Sequence, residues 1–465
     1  MRRIQPWRPS PHPTATFAQG SKHAPASRDC PSSGSRTSAW WRRACRLRRR
    51  SPTTFDAASK VPVGACSSRC VTTPEFCAGL SIGAEAYREW IHRAVFDCCK
   101  WSFSSGDTPT LCRYPILIRR SAWARIASVA ESLAAEADDA ERELIGRPDL
   151  HESLGLPRKT RVALAKARFS PGPRYVRFDF HPTPEGLRIS EGNCDVSGGV
   201  HESSELTRWL AAHLGLSPPG DPSRELARAL SRHFGKRALV GLLHLSMYAE
   251  DREVVTCLAR RMEEEGLNAV LVDGSQLRPS LRARVEGREV ELDVLFRFFP
   301  ADWLERLDDG TGWPELFASA AVCNPVTTIL TQSKRFPLVW PQLRSSCDFW
   351  KAYLPEAREP TGNPPGPGWV YKPALGHEGL GVSIEGVTPP ESMARVLKEV
   401  RRSPEEWVAQ RRFEFLPIDT PDGLRYTCLG VHVVDGSAAG AYARVSQRPI
   451  IDDTAQEAVV LMENR

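Results

Sequence analysis

Apolar residues recur at helical spacing through the middle of the chain, after about eighty residues that show no sustained period of either kind. This pattern predicts packing helices within residues 83–101 and 121–146. Two more helices are expected at roughly Ser203–Leu214 and Pro222–Phe234. The second of these has Asp221 as its predicted N-cap and a proline at its first position.

The pattern then changes to an alternation of strands and helices. Residues 237–245 and 268–273 are predicted as buried strands on either side of a helix over 249–266, and residues 289–298 as a third strand. Such alternation is typical of a βαβ unit with a parallel sheet. In the last third, short strands joined by turns, with one helix near Pro390–Arg401, predict an antiparallel α+β region.

Charge is distributed unevenly along the 465 residues. The first sixty residues hold 13 Lys and Arg against two acids, so the rest of the chain is mildly acidic although the whole carries +6. Residues 1–80 are rich in Pro, Ser and Arg. The favoured interpretation is that they are disordered, or that they are sequence translated upstream of the true start codon. A targeting segment and a tail that binds phosphate or lipid remain alternatives.

Composition bounds the class of protein. No run of eighteen uncharged apolar residues occurs, so we expect no membrane span. Eight of the 13 cysteines precede residue 113 without a CxxC pair, and the others lie in apolar runs. This usage suits reduced thiols in a cytoplasmic protein, and the acidic body gives no reason to expect a nucleic-acid partner.

The stretch RFDFHPTPEGLRISEGN, residues 177–193, is typical of a hairpin with charged strands. Pro184-Glu185-Gly186 matches the three-residue loop recipe, which would pair Thr183 with Leu187. That register places Asp179 opposite Glu191.

The same register places Arg177 opposite Asn193, so that these two side chains and the two acids project from one face. Two opposed carboxylates require a cation, and carboxylate and amide oxygens suit Mg²⁺. Arg177 could stabilise transferred phosphoryl or carboxylate charge. A solvent-facing hairpin whose acids pair with Arg174 and Arg188 is the alternative.

Further motifs, taken together with the hairpin, indicate a nucleotide-binding site. Lys372 precedes a glycine-rich loop between two strands, whose glycines are Gly376, Gly379 and Gly381. Lys334 stands at the start of an apparent helix, and the backbone of 408–410 could bind an adenine edge. Arg444 is a further cation near the same sheet. Taken alone, each has an ordinary alternative: a hairpin loop, a surface lysine, a half-buried strand and a surface arginine.

The order of these motifs resembles the synthetase domain of glutathionylspermidine synthase and its ATP-grasp relatives, over roughly residues 90–460. The resemblance rests on Arg177-x-Asp179, Glu191-x-Asn193 and the segments DVLFRFFPADWL, NPVTTILTQSK, YKPALGHEGLGV and WVAQ. Here the acids precede the lysines, which is the permuted order of this family. The resemblance implies an α/β (α+β) fold of the ATP-grasp type with a pre-ATP-grasp α/β domain.

The resemblance also implies roles for individual residues. Asp179, Glu191 and Asn193 would hold Mg²⁺, and Arg177 would stabilise the transition state. A loop at Glu378 and Gly379 would close over the phosphates, and Trp407 to Gln410 would form the adenine hinge. The implied ATP-binding set, with the nearby cation included, is Lys334, Lys372, Glu378, Gly379, Trp407, Val408, Ala409, Gln410 and Arg444.

We therefore expect an ATP-dependent carboxylate–amine ligase that uses ATP and Mg²⁺ on small-molecule substrates. A catalytically degenerate ATP-binding protein of the same fold is the alternative, because His377 replaces the family's usual Arg and EGNCDVSGG replaces EYNADTP. An interaction protein that acts through its basic arm is ranked last. The predicted division is an arm over 1–80, a helical segment with the hairpin over 81–235, a pre-ATP-grasp-like subdomain over 236–330 and a nucleotide-binding subdomain over 331–465.

Overall fold

The computed structural model describes residues 75–463, apart from 106–107, 309, 361–367 and 378. The expectations for the basic arm and for Glu378 therefore lie outside the described residues. The strands in chain order are β1 (Phe76–Ala78), β2 (Ser104–Ser105), β3 (Thr108–Pro109), β4 (Ile116–Ile118), β5 (Tyr175–Thr183), β6 (Gly186–Asn193), β7 (Leu239–His244), β8 (Asn268–Asp273), β9 (Leu277–Arg278), β10 (Arg282–Val285), β11 (Arg288–Glu291), β12 (Val294–Arg297), β13 (Val322–Cys323), β14 (Ala357–Arg358), β15 (Trp369–Pro373), β16 (Ser383–Ile384), β17 (Trp407–Arg411), β18 (Pro417–Thr420), β19 (Gly423–Val434), β20 (Ser437–Ser446) and β21 (Gln456–Met462).

Helices connect and cover these strands. The α-helices are α1 (Ala84–Phe96), α2 (Arg120–Ile145), α3 (Arg158–Lys166), α4 (Val200–Ser203), α5 (Glu205–Leu214), α6 (Pro222–Phe234), α7 (Ala249–Glu264), α8 (Trp313–Phe317), α9 (Ile329–Gln332), α10 (Phe336–Val339), α11 (Asp348–Tyr353) and α12 (Pro390–Arg402). Short 3₁₀ helices span Pro148–Leu150, Gly274–Gln276, Ala301–Arg306, Val326–Thr328, Trp340–Gln342 and Pro404–Glu406.

The predicted hairpin is part of an eight-stranded sheet. Its order is β1-β4-β21-β20-β19-β5-β6, and β18 pairs with β19 off this path. Only the β4–β21 pair is parallel within this path. The sheet thus joins the hairpin to strands from the C-terminal end of the chain, while the predicted subdomain boundaries stay a prediction.

The two faces of this sheet differ because side chains alternate along each strand. One face, which includes Phe178, Phe180 and Val431, packs in the main core with α2. Helix α2 contributes a buried stripe at three- and four-residue spacing that runs from Ala122 to Leu144. The other face carries the charged residues Arg177 and Asp179 of β5, and helices cover other parts of that face.

Two other sheets follow the predicted pattern. The parallel sheet β13-β12-β7-β8, with α7 between β7 and β8, confirms the βαβ unit. The antiparallel sheet β14-β17-β15-β16 confirms the α+β character of the last third. The remaining small sheets are β11-β10-β9 and β2-β3. The α+β class is therefore confirmed.

The helix predictions are largely confirmed. Helix α6 has the predicted bounds, and Asp221 caps it by accepting a hydrogen bond from the backbone N–H of Arg224 at 3.1 Å. One expectation is wrong: Lys334 does not begin a helix but lies between α9 and α10. The apolar run there is divided into two single turns, the second with a proline within its first two positions.

The predicted hairpin loop is also wrong by one residue. Thr183 pairs with Gly186 rather than Leu187, so the loop holds only Pro184 and Glu185. A bulge between Phe178 and Phe180 restores the expected register further from the turn. Arg177 therefore does lie opposite Asn193, as predicted.

None of the helices in the described part of the chain is long and apolar enough to span a membrane. The same part contains nine cysteines as thiols, of which all but Cys77 are buried.

A buried ion pair joins the segment after the hairpin to the parallel sheet. Asp195 and Arg297 are 2% and 1% exposed and form a salt bridge. Asp195 also accepts a hydrogen bond from the backbone N–H of Ala301 at 2.8 Å, and Arg297 donates to the carbonyl oxygens of Asn324 and Phe299. This pair fixes where the chain goes after Asn193.

We expect Asp195→Ala to lower the free energy of unfolding by about 3–5 kcal/mol, because it leaves Arg297 buried without a counter-charge. Urea denaturation would measure the change. The matched control is Glu289→Ala, since the Arg282–Glu289 pair is more than half exposed on both sides and should contribute roughly 0–1 kcal/mol. Equal losses in the two variants would contradict this account.

Candidate active site

The candidate site is built around the carboxylate of Asp179, which has no solvent exposure. Arg177 donates to both of its oxygens, at 2.7 Å from Nε and 3.0 Å from Nη2. Arg444, on β20, donates to Oδ2 at 2.8 Å, and Asn193 donates to the same oxygen at 3.2 Å. Arg177, Asn193 and Arg444 thus converge on Asp179, and the solvent-facing alternative for the hairpin is wrong.

The pKa of the Asp179 carboxyl is set by these contacts. Burial alone would raise the pKa of the carboxyl, but the guanidinium groups of Arg177 and Arg444 outweigh it and hold the pKa well below its ordinary value. Arg177 also lies over the ring of Tyr442, with its guanidinium carbon 5.5 Å from the ring centroid. Asp179 is therefore a permanent anion inside the fold.

The bulge in β6 sets the position of Glu191. Because two residues of β6, Ser190 and Glu191, face Asp179 alone, the second acid stays beside the first despite the shorter turn. Lys334 Nζ lies 3.2 Å from Glu191 Oε2, and Lys372 Nζ donates to the backbone oxygen of Ser190 at 2.9 Å. The two lysines predicted to contact phosphates thus meet the hairpin from two other segments.

Cations outnumber carboxylates at this point. There are four cations, Arg177, Arg444, Lys334 and Lys372, against the two carboxylates of Asp179 and Glu191. Ion pairs join all of these groups except Lys372, which binds the backbone. Burial would raise the pKa of Glu191, but Lys334 leads the groups that lower it below its usual value. The site therefore has an excess of positive charge in surroundings from which water is largely excluded.

The glycine-rich loop follows Lys372 and reaches back to Lys334. The Nζ of Lys334 donates to the carbonyl oxygen of Gly376 at 2.7 Å. Gly379 has φ +75°, and a Cβ there would approach the carbonyl oxygen of Ile451 at 2.4 Å, so only glycine fits. Gly379 thus packs against the segment after β20, and its role in closing over phosphates stays a prediction.

The predicted adenine hinge is β17. Trp407, Val408, Ala409 and Gln410 are all buried, and this strand is paired with β15 along its whole length and with β14 at its end. Backbone groups at Ala409 and Gln410 are therefore shared between two neighbours. The loop from Arg412 onward connects this sheet to β18, and adenine recognition by the hinge stays a prediction.

Oxygen donors suitable for Mg²⁺ are present on the hairpin face. Among the described residues, Asp179 Oδ1 accepts one hydrogen bond, from Arg177, whereas Oδ2 accepts three, so Oδ1 retains a lone pair. Glu191 is partly exposed, and Asn193 turns its amide nitrogen to Asp179, which leaves its amide oxygen available. Within the described residues no group of three His, Cys, Asp or Glu could hold a metal. The donor set fits Mg²⁺ as two acids and an amide completed by a phosphate.

Sequence reasoning missed three residues that hold this site in place. Gln332 accepts hydrogen bonds from the backbone N–H groups of Cys194 and Asp195 at 2.6 and 2.9 Å. Asn324 donates to the carbonyl oxygens of Tyr175 and Cys194, both at 2.8 Å. The amide side chains of Asn324 and Gln332, in the otherwise mainly uncharged run CNPVTTILTQ, were the sequence feature that could have indicated these contacts.

His181 is the third missed residue, and it lies on the site's own strand. Its Nε2 is 2.9 Å from Ser190 Oγ, and its ring contacts Phe413 and Phe415. Burial lowers the pKa of His181 to about 3, so the ring is neutral at physiological pH. It fills the space between the hairpin and the loop after β17 without adding charge.

Comparison with known proteins decides the family. The family model described as glutathionylspermidine synthase preATP-grasp matches residues 111–460. The chain belongs to this family. The glutathionylspermidine synthase preATP-grasp match covers the hairpin, both lysines and Arg444. A comparison with curated proteins finds no match.

One solved structure supports the fold. A glutathione synthetase-like effector from Globodera pallida, solved in its apo form, is 14% identical with a TM-score of 0.53 and covers 82% of this chain and 98% of its own. A protein assigned as a gamma-glutamylcysteine synthetase from Methylobacillus flagellatus is 11% identical with a TM-score of 0.33, over 69% and 86% of the two chains. The first likeness concerns the fold alone and, with the family match, confirms the predicted ATP-grasp-type fold with a pre-ATP-grasp domain.

The buried lysine gives a test of the charge arrangement. Burial lowers the pKa of Lys372 to about 8, and Glu191 opposes this shift. Removing that carboxylate in Glu191→Gln should lower the Lys372 pKa further, because the ammonium loses a favourable neighbour. NMR titration of isotope-labelled lysine side chains would measure both midpoints.

Glu185→Gln is the matched control variant, since Glu185 lies in the turn of the same hairpin and its side chain contacts Thr183. The Lys372 midpoint should keep its wild-type value in this variant. A Lys372 midpoint that rises or stays constant in Glu191→Gln would contradict the placement of Glu191 beside it.

Proposed function

We propose that the chain is an ATP-dependent ligase that joins a small-molecule carboxylate to an amine through an acylphosphate. The observation that carries this proposal is the convergence of four cations on the bulged hairpin, which carries only two carboxylates at this point. A buried excess of positive charge attracts a polyphosphate and stabilises the charge that develops during phosphoryl transfer. Membership of a family named for a synthase supports the same reading.

The proposed reaction has two steps. A substrate carboxylate oxygen attacks the γ-phosphorus of ATP, the bond to the bridging oxygen breaks, and ADP leaves. The amine nitrogen then attacks the acyl carbon, the bond from that carbon to the phosphate oxygen breaks, phosphate leaves and the nitrogen loses a proton. Positioning and electrostatic stabilisation supply most of the acceleration.

Each side chain of the site has a role in this scheme. Arg177 and Arg444 would face the transferred phosphoryl group, and Lys334 and Lys372 would bind the phosphates of the nucleotide. Mg²⁺ held by Asp179, Glu191 and Asn193 would supply Lewis-acid stabilisation of phosphate charge. Strand β17 would contribute to adenine binding.

A second candidate is an ATP-binding protein of this fold that does not ligate. The observation that favours it is at the glycine-rich loop, where His377 Nε2 lies 3.3 Å from both carboxylate oxygens of Asp302. A loop residue engaged with a neighbouring segment is not free to clamp a phosphate. ATP binding without ADP release, across a panel of carboxylates and amines, would favour this candidate.

We expect Glu191→Ala to reduce ADP release by about 10²- to 10³-fold, because it removes one of the carboxylates that would hold Mg²⁺ at the phosphates. Asp179→Ala should abolish turnover, since it leaves two arginines without their shared partner. ADP release with thiol peptides, amino acids and polyamines as candidate substrates would measure both effects.

Glu185→Ala is the matched control, because Glu185 lies in the turn of the same hairpin and its side chain contacts Thr183 instead. It should keep the wild-type rate. Unchanged ADP release in folded Glu191→Ala would contradict the proposed ligase site.

A further inference from the structure

Three buried rings form a stack on the charged face of the eight-stranded sheet. The ring centroids of Tyr175 and His432 are 5.2 Å apart, and those of His432 and Tyr442 are 5.8 Å apart. All three residues are at most 4% exposed. The stack ends at Arg177, whose guanidinium carbon lies 5.5 Å from the ring centroid of Tyr442. The proposed mechanism uses Arg177 but gives these rings no role.

The strand register brings Tyr442 to Arg177. Asp179, Gly430 and Tyr442 are neighbours across β5, β19 and β20, so they form one row on one face of the sheet. A Cβ on Gly430 would lie 2.7 Å from the ring of Tyr442 and 3.0 Å from Cδ of Arg177. The ring and the arginine can therefore meet only because the residue between them has no side chain.

A second glycine leaves room for the same ring. Gly199 has φ +87°, and a Cβ there would overlap the ring of Tyr442. The residue before it, Gly198, accepts a hydrogen bond from Nη1 of Arg177 at 3.0 Å. The turn before α4 thus binds the guanidinium through its backbone and admits the ring through its missing side chain.

Arg177 keeps donors for a ligand. A guanidinium with its Nε carries five N–H groups. Within the described part of the chain, two of these bind Asp179 and one binds Gly198, so two are left. Where those two point depends on the plane of the guanidinium. The torsion of a carboxylate group is broad, so the bonds to Asp179 alone would let this plane turn, and a ring beside the guanidinium limits that rotation.

His432 supports the ring of Tyr442 without adding charge. Burial, followed by the charge of Arg177, lowers the pKa of His432 to about 3, so the imidazole is neutral at physiological pH. A protonated imidazole would repel Arg177 and compete with it for the electron-rich face of Tyr442. The stack therefore leaves that face to the guanidinium.

We propose that Tyr442 is a positioning residue, whose ring, supported by His432, orients the Arg177 guanidinium so that its two unused N–H groups meet the transferred phosphoryl group. This inference rests on the proposed function, which gives Arg177 its role at the phosphoryl group. The ring acts through its electron density as well as its volume, because a cation is attracted to the face of an aromatic ring, and more strongly where water is excluded.

The test varies the electron density of the ring in the full chain. Tyr442→Phe keeps an electron-rich ring and should keep kcat for ADP release within about twofold of the wild type. Replacement of Tyr442 by increasingly fluorinated phenylalanines keeps an apolar ring but withdraws electron density from its face. We expect kcat to fall stepwise, by about tenfold at pentafluorophenylalanine, with little change in KM for ATP, because Arg177 acts on charge that develops in the transition state.

Phe317 provides the matched control position. The guanidinium carbon of Arg297 lies 5.3 Å from the centroid of this ring, and both residues are buried. The same fluorinated residues at position 317 should lower stability and leave kcat within about twofold of the wild type. Equal kcat along the series at Tyr442 would overturn the inference, as would equal losses of kcat at the two positions.

A second readout needs no turnover. The Nε–H signal of Arg177 in NMR spectra, assigned by its loss in Arg177→Lys, should exchange with water about tenfold faster in Tyr442→Leu, because the guanidinium is less firmly held. The Nε–H of Arg297 should keep its rate, which excludes a general loosening of the fold. The pentafluorophenylalanine variant replaces Tyr442→Leu if the latter does not fold.

The two readouts separate this inference from the proposed function. Unchanged exchange of the Arg177 N–H in the folded variant would overturn the inference even if the wild type releases ADP. A wild type that releases no ADP with any substrate of the panel would overturn the ligase, and faster exchange at Arg177 would then still support the positioning role of Tyr442.

Discussion

The rest of the site depends on one buried carboxylate, that of Asp179, held between two guanidinium groups. A carboxylate without solvent contact is stable only when paired and hydrogen-bonded. Arg177 holds it from the same strand, β5, and Arg444 reaches it from β20 across β19, so the Arg444–Asp179 bond links two strands in the middle of the eight-stranded sheet. Once that centre is fixed, the bulge of β6 decides where the second acid lies. Lys334 and Lys372 then meet the hairpin because its acids and carbonyl oxygens offer them partners.

A second set of buried polar contacts carries this arrangement into the surrounding domain. Gln332 and Asn324 bind the backbone after Asn193, and Asp195 joins the parallel sheet through Arg297. Two separate stretches of sequence are thereby joined to the segment after Asn193. The segment that differs from the family's usual EYNADTP is structurally engaged at Asp195, and the loop that contains His377 contacts Asp302.

Much of this was predictable from the sequence, because it rests on local rules. The period of apolar residues gave α6 its bounds and identified the βαβ unit, and two-residue alternation placed Arg177 and Asp179 on one face. The turn could not be predicted to one residue, because Pro-Glu-Gly is compatible with both a two- and a three-residue loop. A bulge in β6 then offset the one-residue difference in the loop, and no local sequence pattern predicts that bulge. Long-range partners were missed for a physical reason: whether Arg444 reaches Asp179, or Gln332 reaches Cys194, depends on strand order and not on spacing.

The most direct test of the central claim is the binding of Mn²⁺, as a paramagnetic substitute for Mg²⁺, measured by electron paramagnetic resonance with a non-hydrolysable ATP analogue. The account predicts that the wild type binds Mn²⁺ tightly only when the nucleotide is present, and that Asn193→Ala weakens this binding while the exposed Asn268→Ala does not. Nucleotide-dependent Mn²⁺ binding that is equal in the wild type and Asn193→Ala, or no nucleotide binding at all, would contradict it.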